Sequence, residues 1–144
     1  MKWRITMGLV LIALTWAGPR LAAQSCDEDD AMAQGSVATL ANLVDTVKKE
    51  TLADFQAHYH QKSALSKLAF AIAGLDEAIE CRGKAGQDST ATPDQAAANR
   101  SKQENDTKLR QRFDQYRKDL KATDDPKAAK RLIESFDVGA AAPK

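Results

Sequence analysis

The chain has 144 residues, 43% of them hydrophobic and 28% charged, with 21 basic against 20 acidic side chains and a formal net charge of +1. That length allows one domain. Its two cysteines, Cys26 and Cys81, form no CxxC, CxxCH or zinc-type spacing, which excludes a thioredoxin-like, c-type haem or zinc-finger role.

Residues 1–23, MKWRITMGLVLIALTWAGPRLAA, open with Lys2 and Arg4, continue through an uncharged apolar run and end in small residues, with no acid before Asp27. This is the three-part layout of a secretory signal peptide, with cleavage expected after Ala23. The apolar run is shorter than the ~20 residues that span a bilayer, so no transmembrane span is expected after cleavage. A lipid anchor on Cys26 is the competing reading, and Gln24 fits its signal poorly. Cleavage removes three basic residues, no acid and both tryptophans, and leaves 121 residues with a net charge of −2. Export places the protein in the periplasm or outside the cell and argues against nucleic acid as a partner. In that oxidising setting Cys26 and Cys81 are expected to bond. Closing a loop of about 55 residues contributes on the order of 4 kcal/mol in the chain-entropy model.

The mature chain, 24–138, reads as one helical domain, followed by a disordered tail at 139–144. Residues 24–35 are acidic and small, a lead-in or short first helix ending at Gly35. Ser36 is placed as an N-cap, with Val37, Leu40, Val44 and Val47 on one face of the helix it starts. Leu65, Leu68, Ile72, Leu75 and Ile79 form a second stripe, roughly 160° around the axis from Phe55 and Tyr59 if the helix were unbroken. A break at 60–64, with Ser63 capping the next helix, removes that conflict. Thr51-Leu52-Ala53-Asp54 resembles a capping box and marks the competing turn site. One straight helix would hold the cysteines far beyond the ~7 Å Cα separation that a disulfide tolerates, so the chain must double back between them.

Residues 83–92 read as a loop. Thr92-Pro93-Asp94-Gln95 is a strong helix start, and the helix runs to about Lys121. Leu109, Phe113, Tyr116 and Leu120 give its second half an apolar face, while its first half has no large apolar residue. Asp125-Pro126 begins a short last helix that buries Leu132, Ile133 and Phe136. Strand alternation is absent. The expected fold is all-α: a small antiparallel bundle of three main helices and a short C-terminal one, after a cleaved signal peptide.

Two features carry functional expectations. Asp54, His58 and His60, with Glu50 one helical repeat earlier, are the candidate metal ligands, of a kind zinc or copper accepts. The two imidazoles converge only if the chain turns between them, and the plainer reading is a polar outer face beside a bend. Charge is also partitioned: residues 24–99 carry net −6 and residues 100–131 net +5. Arg110, Arg112, Arg117, Lys118 and Lys121 are therefore the candidate partner-binding residues, facing a protein or an anionic envelope component. The plainer reading is that Glu104/Lys108, Asp106/Arg110 and Asp114/Lys118, each four apart, neutralise one another on a solvated helix.

No GxSxG, HExxH, Walker A or GxGxxG motif occurs. The expectation is a non-enzymatic exported helical protein that binds a protein or envelope surface as an adaptor, inhibitor or small chaperone. It needs no cofactor and is open to homo-oligomer formation. A periplasmic bundle that binds a metal or small cofactor is the alternative.

Overall fold

In the computed structural model, residues 20–138 are described, with side chains from Cys26 onward. Most of the expected signal segment, and the tail at 139–144, lie outside the described residues. Four helices follow in order: α1 (Arg20–Lys49), α2 (Ala57–Ala85), α3 (Pro93–Lys121) and α4 (Pro126–Glu134). The three long helices pack side by side and antiparallel, as the sequence predicts. Cys26 near the start of α1 is joined to Cys81 near the end of α2, with Cα atoms 5.6 Å apart. Gln61 near the start of α2 donates from Nε2 to the carbonyls of Leu120 (2.7 Å) and Thr123 (2.8 Å). It thereby satisfies acceptors that the end of α3 leaves without intrahelical partners.

Helix α2 lies between the other two. No Cα of α1 comes within 8 Å of one in α3. Helix α4 closes against all three at the end that holds the α1–α2 loop. The apolar core gathers there: Leu40, Val44 and Val47 of α1, Leu68 of α2, Phe113 and Leu120 of α3 and Ile133 of α4 are fully buried, with Phe55 and Phe136 beside them. Among the described residues, the opposite end, where the disulfide sits, has no comparable set of large buried side chains.

Local signals for the last two helices hold in detail. Thr92 Oγ1 accepts from the Gln95 amide (3.3 Å) while Gln95 Oε1 accepts from the Thr92 amide (3.0 Å), with Pro93 at the first helical position. Asp125 accepts from the Ala128 amide (2.8 Å) ahead of Pro126.

Two expectations fail. Gly35 does not end a helix and Ser36 caps nothing: α1 runs through both, and the Ser36 carbonyl accepts from Thr39 Oγ1 within the helix. One interior glycine costs ~1 kcal/mol. Burial of Ala33 and Val37 on α2, and the bond at Cys26, offset it. The chain also does not break at 60–64. It turns at 50–56, and both histidines lie in the first turn of α2. The angular argument treated Tyr59 as core, yet Tyr59 is 65% exposed, and Phe55 is buried from the loop instead. The Thr51 signal was the better one. Thr51 Oγ1 donates to Asp54 and accepts from the Asp54 amide (3.2 Å), but it organises the loop rather than starting a helix.

Helices α1 and α2 meet through small residues, among them Ala33, Ala71, Gly74 and Ala78. A Cβ at Gly74 would stand 3.1 Å from the Ala33 Cα and 3.3 Å from its amide nitrogen, neither of which moves without moving α1. Gly74→Leu is therefore expected to lose about 1–3 kcal/mol through overpacking. A melting temperature several degrees lower by circular dichroism is the expected reading, and an unchanged one would show that α1 shifts freely on α2.

Candidate functional site

The histidine segment resolves into unlike environments. His60 is 6% exposed. Its Nε2 stands 3.0 Å from Glu50 Oε2, and its ring stacks on Phe55 (centroids 5.3 Å) with Tyr59 edge-on at 5.4 Å. The Glu50 contact is close but poorly aligned: neither Glu50 Oε2 nor His60 Nδ1 has a hydrogen-bond partner of proper geometry. His58 is exposed on the outer side of α2, and the Asp54 carboxylate is held by Thr51 in the loop. Asp54, His58 and His60 are thus not brought to one point. Among the described residues no three His, Cys, Asp or Glu side chains are grouped to hold a metal ion. The His60–Glu50–Phe55 arrangement locks the α1–α2 loop onto α2.

The cations of α3 are largely committed within the chain. Arg110 Nε donates to Asp76 of α2 (2.9 Å), and Arg112 Nη1 donates to Asp137 (2.8 Å). Arg117 and Lys118 both reach Asp114 at 2.8 Å. Bonds from Lys118 first, and then Arg117, hold the Asp114 carboxyl below the usual aspartate range, while Asp76 holds the Arg110 guanidinium above its ordinary value. Lys121 is exposed at the end of the helix. Two of the three expected four-apart pairs form, Glu104–Lys108 and Asp114–Lys118, each at 2.7–2.8 Å. The third does not: Arg110 turns to Asp76, and Asp106 turns to Arg82.

Arg82 is the residue that sequence reasoning missed. It is 5% exposed at the end of α2, one residue after the disulfide. Its Nη2 pairs with Asp30 of α1 and its Nε with Asp106 of α3 (3.2 Å). One guanidinium therefore joins two helices whose backbones do not come close to each other. Burial pushes the Asp106 carboxyl above the usual aspartate range, the Arg82 charge opposes that, and the neighbouring Asp30 charge adds to it. The sequence signal was an arginine that continues the spacing of Leu75, Ala78 and Ile79.

The remaining feature is an open groove of about 390 Å³ between α1 and α2. Met32, Ser36 and Thr39 line one side, and Ser66, Lys67 and Phe70 the other. Met32 is 59% and Phe70 68% exposed, which sets two large apolar side chains in water across from each other. Phe70 lies off the buried stripe of α2, where Ala64, Leu68, Ile72 and Leu75 face inward. No protein-family model, curated protein or solved structure matches this chain.

No helix among the described residues is long and apolar enough to cross a membrane. The joined cysteine pair fits an oxidising compartment.

Proposed function

We propose that this protein is a non-enzymatic helical module, exported to the periplasm or cell exterior, that works by binding another protein surface along the α1–α2 groove. The observation that carries this reading is the exposure of Met32 and Phe70 on its two sides. Facing across a groove, these two side chains offer apolar surface that a docked partner would remove from water. Both cysteines are bonded to each other, and the His60 ring is buried against Phe55. Of the five cations Arg110, Arg112, Arg117, Lys118 and Lys121, four already hold internal acids. They make a weaker candidate than the groove, because their charge is already largely balanced by acids of the same chain. The metal- or cofactor-binding alternative has no donor cluster among the described residues to support it.

A photo-cross-linking amino acid placed at position 70 in the producing cells tests this reading, with the exposed Gln115 of α3 as control. Adducts of defined mass are expected from position 70 and not from 115. No adduct from 70, or the same adducts from both, would overturn the groove as the working surface.

A further inference from the structure

The outer side of α2 has an unusual charge pattern. Lys62, Ser66, Ala69, Phe70, Ala73 and Glu77 are all exposed along it. A solvated helix face ordinarily carries charges along its length. Here the exposed positions from Ser66 to Ala73 are uncharged, with the half-buried Lys67 at the groove edge, and an aromatic ring projects from a bed of serine and alanine. Unpaired charges of opposite sign flank this stretch, Lys62 toward the start and Glu77 toward the end, neither in an ion pair within the described chain, while Glu80 and Lys84 beyond Glu77 are bonded to each other. The midpoint between Lys62 and Glu77 falls between Ala69 and Phe70.

We infer that this face binds a second copy of the same chain, with two α2 helices antiparallel across a twofold axis near Phe70. The inference rests on the groove reading and names its occupant. Lys62 and Glu77 are separated by about 22 Å along the helix, and reversing the partner helix about their midpoint sets Lys62 against Glu77 of the second copy, and Glu77 against Lys62 of the second copy. A twofold interface requires this reciprocity, in which residue i meets j and j meets i. Ser66 then lies opposite Ala73, and each Phe70 enters the space that small side chains leave on the other helix. Met32 extends the apolar contact along the groove. A parallel pairing would set like charges together and is disfavoured. One helix supplies both halves of the complementarity, so no second sequence is needed.

Sedimentation equilibrium of the purified, disulfide-bonded full chain, from low micromolar to near-millimolar concentration, tests the inference. A reversible dimer, weakened by salt, is expected. Lys62→Glu and Glu77→Lys should each raise its dissociation constant about tenfold or more, since every change meets the interface twice. The double variant K62E/E77K should recover the parent constant, and Phe70→Glu should be monomeric. All three positions are exposed, so far-ultraviolet circular dichroism should stay unchanged and exclude misfolding as the cause. A monomer at every concentration, or a dimer indifferent to the single charge changes or not restored by the double one, would overturn the twofold. A monomer that still forms an adduct at position 70 with a different protein would sink this inference and leave the groove reading standing. A monomer with no adduct would sink both.

Discussion

Replacing Cys26 and Cys81 together by alanine is expected to lower stability by about 4 kcal/mol. The bond closes a loop of 55 residues, and its removal returns that loop's entropy to the unfolded chain. The native contacts explain why the loss should be felt unevenly. Between Cys26 and Ala33 only those two side chains are buried, and Asp27, Glu28, Ala31 and Met32 are exposed. Further along, Leu40, Val44 and Val47 are sealed in the core. Without the bond, Ala33 and the Asp30–Arg82 pair are what remain, among the described side chains of 26–33, to hold this stretch on α2. Differential scanning calorimetry should show a fall in melting temperature of roughly 10–20 °C, from the usual scaling of stability with domain size. Hydrogen exchange should accelerate most at residues 26–33 and least at 40–47. Equal acceleration across α1 would show that the helix unfolds as one unit, and an unchanged melting temperature would show that the apolar end alone holds the bundle.

The two ends of the molecule also explain what the sequence made legible. Helix starts written in local chemistry were readable: Thr92-Pro93-Asp94-Gln95 and Asp125-Pro126 cap α3 and α4 as their spacing predicts. The buried stripes were readable too, as was the need for a fold-back between the cysteines. What periodicity does not report is which side chain meets which neighbouring element. Asp106 and Arg110 stand four apart on α3, yet each pairs across to α2, because Arg82 and Asp76 occupy the facing register. Arg110 and Asp76 are 34 positions apart, a distance over which no local rule operates. The turn was misplaced for a related reason. Tyr59 has the composition of a core residue, and only the packing of Phe55 onto His60 from the loop shows that the core is already filled without it. Phe70 was visible as an aromatic outside the Leu65–Ile79 stripe, and its exposure could have been read from that angle. Arg82 lay on the buried side, where an arginine requires partners. Those partners sit 52 positions before it and 24 after.

Arg82→Ala is expected to cost about 2–4 kcal/mol, less than removal of one partner from a fully buried ion pair because Asp30 and Asp106 keep some contact with water. The loss is more than that of one side chain. Two acids are left facing each other without the cation between them, and α1 and α3 lose the tie that Arg82 gives them at the disulfide end. The pH dependence identifies the cause. Burial already raises the Asp106 carboxyl from its ordinary value of 3.8, so its protonated form is the one the fold favours. Any stability from that preference is fully present below the unfolded value and is lost as pH rises through the higher folded value. Without Arg82, the influence that lowers Asp106 disappears while burial and the Asp30 charge remain, so the folded value rises further. The deficit of the variant should therefore be larger at pH 7 than at pH 4, since Asp106 takes up its proton as pH falls through its raised folded value. Urea titrations of parent and variant at the two pH values measure it. Changing Asp30 and Asp106 to asparagine in the Arg82→Ala background should return much of the loss at neutral pH, since neutral amides do not need the cation. A deficit of equal size at both pH values, with no recovery in the triple variant, would assign Arg82 a packing role and leave its charge without effect.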